Sequence, residues 1–161
     1  MSGSRKGTPR NEYGSWVYYL GAIFIGHCER GSWVFAIPST ALACHLLRLS
    51  SADDVYDHYL RGGLFESMIL SDFMKKRYHH GLPPNLYFWR DKAGTEVDCL
   101  LEEGSKLIPI EIKSSATIHP EMFESLEKWR ELAHSSQGTL VYAGLEDQNR
   151  SKGRVVSWRS L

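Results

Sequence analysis

The chain has no surplus of either charge: nineteen Lys and Arg balance nineteen Asp and Glu, and the sequence pI is about 7.1. A polycation that holds a phosphate backbone by bulk attraction is excluded, so any affinity for nucleic acid has to come from local geometry. Cysteine is scarce. Cys28, Cys44 and Cys99 are odd in number, widely spaced and without a CxxC pair. That excludes a disulfide framework and a zinc ribbon and fits a reducing cytoplasm. A long hydrophobic run is missing too. The most apolar stretch, Trp16 to Gly26 behind Arg5, Lys6 and Arg10, is too short to span a bilayer. It has the outline of a signal peptide but no small-residue cleavage site, and its bulky Trp and Tyr suit a buried strand or hairpin, so no membrane association is expected. A phosphate-binding loop is also absent. Gly21 to Cys28 reads G-x-x-x-x-G-H-C, without the Lys that would reach phosphates and the Ser or Thr that would hold Mg²⁺.

What is present is an ordinary globular composition: 161 residues, 42% apolar, 12% aromatic and 24% charged, enough for one domain with a real core. Residues 1–12 are polar and read as a loose tail, and Tyr13 to Ile37 reads as extended segments joined at Gly21, Gly26 and Gly31. We divide the chain into 1–32, a tail and apolar segment, and 33–161, the folded domain. Ala41 to Leu49 reads as a short helix, and Ser50-Ser51 ahead of Asp53 and Asp54 as the cap and acidic first turn of another. Helical spacing continues from Val55 to Tyr78 with an expected break near Gly62-Gly63, and Phe65, Ile69 and Phe73 form a stripe flanked by Leu64 and Met68. Glu66 borders that stripe. An unpaired carboxylate is costly there, so it needs a partner, a metal or water.

Three strand-like runs follow, Leu86 to Arg90, Glu96 to Glu102 and Leu107 to Lys113, separated by short polar connections that contain Gly94 and Gly104. This is an antiparallel meander. Pro109 cannot donate to a ladder, so it marks an edge, a strand start or a bulge. Pro120 at a first helical position opens a helix with Met122, Leu126, Trp129 and Ala133 on one face, and Thr139 to Ala143 and Val155 to Trp158 read as further strands. The fold class is α/β: helix, three-strand meander, helix, strand.

The two-residue period of a strand puts Glu111 and Lys113 on one face and Ile108, Ile110 and Ile112 on the other. Asp98 has the opposite parity from Val97, Cys99 and Leu101, and a suitable register would bring it against Glu111. Two carboxylates converge favourably when a divalent cation lies between them, and hard Mg²⁺ (or Mn²⁺) suits oxygen donors. Lys113 beside them could orient a water or stabilise charge on a phosphoryl group. E-x-K is also common as a solvated pair on amphipathic strands. What separates the two readings is the order: a helical Glu66, Asp98 in the second strand, E-x-K in the third, then a helix and a strand. This is the layout of the PD-(D/E)XK nuclease core.

Arg61-Gly62-Gly63-Leu64-Phe65-Glu66, Leu86-Tyr87-Phe88-Trp89-Arg90-Asp91, Gly94-Thr95-Glu96-Val97-Asp98 and Pro109-Ile110-Glu111-Ile112-Lys113-Ser114 together resemble domain-of-unknown-function family 4143, the C-terminal domain of prokaryotic AAA-type ATPases. The resemblance runs from about Trp33 to Val141. It implies a restriction-endonuclease-like fold in which Glu66, Asp98, Glu111 and Lys113 match the nuclease positions, with Glu66, Asp98 and Glu111 as metal ligands. The expected function is Mg-dependent hydrolysis of DNA or RNA phosphodiesters beside an ATPase partner; the alternative is a non-catalytic module that binds nucleic acid or protein and keeps the nuclease-like fold. Relatives carry an N-terminal ATPase and a winged-helix segment that 161 residues cannot hold, so the chain reads as a separated C-terminal piece or a stand-alone derivative. Ser39 to Ala43 departs from the turn usual in the family.

Weaker signals have plainer explanations. Lys75, Lys76, Arg77, His79 and His80 could meet phosphates but suit a solvated helix C-terminus. Trp89 and Arg90 could stack on nucleic acid, and core packing suits Trp89 better. His27-Cys28 with Cys44-His45 makes a poor tetrahedral zinc set, because adjacent ligands strain the geometry. Ser114 and Ser115 lack the surroundings of a nucleophile.

Overall fold

The computed structural model describes residues 16–19, 25–26, 34–35, 39–83, 85–135 and 137–161, with side chains from residue 39 onward. The expected polar tail over 1–12 and the His27-Cys28 pair lie outside the described residues. Within Tyr13 to Ile37 the backbone forms β1 (Trp16–Tyr19), β2 (Ile25–Gly26) and β3 (Val34–Phe35), the extended segments that the aromatic and Gly pattern anticipates. Among the described residues, β2 and β3 pair with each other in a separate two-stranded sheet.

Three helices follow. α1 (Thr40–Leu46) is capped by Ser39, whose side chain accepts the Leu42 N–H. α2 (Ala52–Asp57) begins with a full capping box: Ser51 Oγ accepts the Asp54 N–H and Asp54 accepts the Ser51 N–H. The Ser50 and Ser51 backbone donors hold the Asp54 carboxyl below its ordinary range. α3 (Arg61–His79) runs unbroken through Gly62 and Gly63, which corrects the expected break. The chain interrupts earlier, at His58–Leu60, and both glycines fall in the first turn of α3. Its C-terminus is solvated as expected: Arg77 donates to the Pro83 carbonyl, Lys76 pairs with Asp72, and Gly81 takes the left-handed conformation that closes the helix.

The meander appears as β4 (Leu86–Arg90), β5 (Glu96–Glu103) and β6 (Lys106–Lys113). A 3₁₀ turn with Pro120 at its start (Pro120–Phe123) leads into α4 (Glu124–Ala133). Then come β7 (Thr139–Tyr142), β8 (Gln148–Arg150) and β9 (Gly153–Ser157). Seven strands make one mixed sheet in the order β1-β4-β5-β6-β7-β9-β8, antiparallel from β1 to β6, parallel across β6-β7-β9, and antiparallel again at β8. β8 has a polar sequence and gave no periodic signal.

Pro109 sits in a central strand, yet its missing N–H costs no ladder bond to β7. It pairs with Leu100 on the β5 side, while pairing with β7 begins only at Ile110↔Thr139. Locally Pro109 is at an edge. Gly138, just before β7, lies so close that a Cβ there would stand 3.0 Å from the Pro109 carbonyl oxygen.

Both faces of the sheet are covered. Ile69 and Leu70 of α3 pack on Leu86, Phe88, Cys99, Ile110, Ile112 and Val141. On the other face Trp129 of α4 meets Trp89 edge to face at 5.0 Å, with Val97 and Leu100 beside them, and Leu126 and Phe123 cover Leu140, Tyr142 and Val155. Trp89 is therefore core and not a stacking platform, and Arg90 is engaged with Glu96 at 2.7 Å. The face that carries Glu111, read as the polar one, is roofed by α4. No helix among the described residues is long and apolar enough to cross a membrane.

Candidate active site

The centre of the fold is where β5 and β6 part company. Their ladder runs from Glu103↔Lys106 to Cys99↔Ile110 and stops one step short of Asp98 and Glu111. On the other side of β5 the register with β4 shifts between Tyr87↔Leu100 and Trp89↔Val97, so that Asp98 and Cys99 together oppose Phe88. This bulge breaks the simple alternation: Val97 joins Leu100 on the α4 side, and Asp98 is re-aimed. The Asp98 carboxylate replaces the missing backbone bond, with Oδ2 accepting the Ile112 N–H at 2.7 Å.

The four residues expected to form a site converge here from three elements. Lys113 Nζ of β6 stands 2.5 Å from Glu111 Oε1 and 3.8 Å from Asp98 Oδ2. Glu66, from α3, acts electrostatically on Asp98 and on Lys113, whose ammonium supplies the opposite charge that its position on the apolar stripe demanded. Burial, followed by the charge of Glu66, pushes Asp98 up to about 8. Burial and the charge of Asp98 push Glu111 up to about 7. Burial would lower the Lys113 ammonium, but the charges of Asp98 and Glu111 outweigh it and hold it above its ordinary value.

Two residues outside the motifs belong to the same arrangement. Ser125 of α4 donates to Glu111 Oε2 at 2.7 Å, so both oxygens of Glu111 are held from opposite sides. Arg61, at the start of α3, donates to the carbonyl of Ser114, the residue after Lys113, at 2.8 Å, and lies 4.5 Å from the centre of the Tyr56 ring. That bond ties the helix bearing Glu66 to the end of the strand bearing Lys113. Neither stands out in sequence: Ser125 is one serine on an amphipathic helix, and Arg61 is 53 residues from its acceptor. Neighbouring Cys99 takes no part, since burial raises its thiol far out of the reactive range.

The donor set suits a hard divalent cation in kind, with three carboxylates against one ammonium. Among the described residues, however, no three acidic, imidazole or thiolate groups are placed to hold a metal ion as they stand. The cationic position beside Glu111 and Asp98 is filled by Lys113.

The family described as Domain of unknown function (DUF4143) matches residues 61–161. The chain belongs to this family. The match starts at the first residue of α3 and contains the whole convergent cluster, together with Arg61 and Ser125. It begins later than the expected Trp33, leaving out α1 and α2, and runs past Val141 to include β8 and β9. Neither a curated protein nor a solved structure matches the chain.

Proposed function

We propose that this domain is a PD-(D/E)XK-type nuclease with a restriction-endonuclease-like core, acting on DNA or RNA phosphodiesters. The observation that carries the reading is the convergence of Glu66, Asp98, Glu111 and Lys113 from α3, β5 and β6 where the central ladder opens. Asp98, Glu111 and Glu66 are the ligands that the resemblance implies for Mg²⁺ or Mn²⁺, which when bound supplies Lewis-acid stabilisation of charge on the phosphoryl oxygens, although the three are not placed to hold an ion as they stand. Lys113, beside both carboxylates, would activate or position the attacking water. Lys113 keeps its charge and sets an ammonium against the developing negative charge on the phosphate. Asp98 is fixed by the Ile112 N–H, and Ser125 fixes Glu111, so the carboxylates are oriented before substrate arrives. An ATPase in the reducing cytoplasm is the partner that family resemblance suggests.

The reading is tested by incubating wild type and Lys113→Ala with single- and double-stranded DNA and with RNA, in Mg²⁺ or Mn²⁺. Cleavage by wild type and its loss in Lys113→Ala are expected; equal inactivity on every substrate overturns the nuclease reading. A specific observation favours a second reading: Lys113 already sets a positive charge against Glu111 and Asp98 without a metal. As a non-catalytic binding module the domain would bind nucleic acid or a protein partner equally well after Asp98→Ala and Glu111→Ala.

A further inference from the structure

We infer that Arg61 is a positioning residue for Lys113: its guanidinium replaces a missing rung of the central ladder and fixes the strand end that carries the amine. The inference rests on the nuclease reading only for what the amine does to a phosphate; the positioning is a property of the fold. Backbone groups two residues apart on a strand face the same edge. The Ile112 N–H and the Ser114 carbonyl therefore both face the side of β6 that β5 occupies, where the ladder has already ended at Cys99↔Ile110. Asp98 Oδ2 takes the Ile112 N–H at 2.7 Å, and Arg61 donates to the Ser114 carbonyl at 2.8 Å. A carboxylate and a guanidinium thus stand in for the rungs that β5 no longer supplies. On the opposite edge Lys113 pairs with Tyr142, and the Ser115 carbonyl accepts the Ala143 N–H at 3.1 Å. Without Arg61 the chain beyond Lys113 is held from the β7 side alone.

The guanidinium is suited to this task by its own anchorage. Arg61 opens α3, five residues before Glu66, and is followed by Gly62 and Gly63, which have no side chains to pack the first turn onto the sheet. A second guanidinium nitrogen donates to the Tyr56 carbonyl at 3.3 Å, and the guanidinium carbon lies 4.5 Å from the centre of the Tyr56 ring. A planar fork serves two carbonyls and an aromatic face together, which an ammonium does not. One side chain therefore sets the start of the helix bearing Glu66 against the end of the strand bearing Lys113. The Lys113 stem is flexible, so a fixed backbone beneath it limits how far the amine strays from Asp98 and Glu111.

The test uses Arg61→Met, which keeps an apolar stem and removes the donors, and Arg61→Lys, which keeps the charge. Amide hydrogen exchange of the whole chain is the readout that needs no catalysis. In Arg61→Met the Ile112 amide should exchange at least about tenfold faster than in wild type while buried Val141 and Val155 keep their rates, because the opening is confined to one strand end. Arg61→Lys should fall between the two. An unchanged Ile112 rate, or a rise shared equally by Val141 and Val155, overturns the inference. Should Arg61→Met not fold, Arg61→Lys is read against wild type by the same criterion. In the cleavage assay Arg61→Met should lower kcat at least about tenfold with KM within about twofold, since a displacement of about 1 Å costs about 100-fold in rate. A raised KM with unchanged kcat overturns the positioning role. Selective exchange at Ile112 in a protein whose wild type cleaves nothing upholds the positioning and refutes the nuclease reading, so the two claims fail separately.

Discussion

A cluster that keeps two carboxyl groups protonated makes the metal-free fold less stable as pH rises, the reverse of ordinary carboxylate behaviour. Asp98 titrates near 3.8 when unfolded and is pushed up to about 8 in the fold; Glu111 moves from 4.5 up to about 7. Stability from a raised carboxyl is fully present below its unfolded value and is lost as pH climbs to its folded value. Between pH 5 and pH 7 the native state therefore holds up to two more protons than the unfolded state. Each is worth about 1.4 kcal/mol per pH unit. From pH 5.5 to 6.5 the loss approaches about 3 kcal/mol, or about 6–12 °C in Tm for a domain of this size. Lys113 stays charged throughout the interval and adds no slope. Thermal unfolding by circular dichroism in EDTA, in steps across that interval, measures the effect. Glu111→Gln should remove roughly half of the slope and Asp98→Asn at least half, since Asp98→Asn deletes one extra proton and also the charge that helps to raise Glu111. A midpoint that stays flat or rises with pH, or a slope that survives in the double variant, refutes the reasoning.

Three further outcomes are expected. Ser125→Ala should weaken Mn²⁺ binding by about 10- to 100-fold because Glu111 Oε2 loses its only side-chain donor from α4, and Ser125→Thr should restore it; titration calorimetry checks both. Gly138→Ala should cost about 1–3 kcal/mol in urea denaturation, since its Cβ would stand 2.8 Å from Leu126 Cδ2 and 3.0 Å from both Pro109 Cγ and the Pro109 carbonyl oxygen. Leu126 can turn aside, but the Pro109 backbone cannot. Gly62→Ala should instead stabilise by up to about 1 kcal/mol in the same assay, because the position is helical and a Cβ there meets nothing within 4 Å.

Some elements were legible because their signals are local. The meander fell within a residue of its predicted bounds, since Gly94 and Gly104 punctuate runs of alternating residues, and both adopt positive φ at the turns. The serine cap and acidic first turn of α2 were readable for the same reason, though the reciprocal bond from Ser51 N–H to Asp54 was not. Local signals also misled. Gly62-Gly63 resembles a helix break by propensity, yet the first turn of α3 accommodates both while Leu64, Ile69 and Leu70 anchor the helix on the sheet. β8 went unseen because Gln148, Asn149 and Arg150 carry no apolar alternation; pairing with β9 makes it a strand.

The sequence by itself determined the balance of charge, the α/β class and which residues line the strands, and it singled out Glu66, Asp98, Glu111 and Lys113. Those properties follow from periodicity, turn chemistry and motif order, each contained in a short window or a linear arrangement. Only the tertiary structure decided that the four meet, that a bulge re-aims Asp98 toward Ile112, that Ser125 and Arg61 brace the cluster, and that Lys113 occupies its cationic position. The reason is reach: the bond from Arg61 to Ser114 spans 53 residues and that from Ile112 to Asp98 spans 14, and no local preference encodes which strands diverge or which helix closes over them.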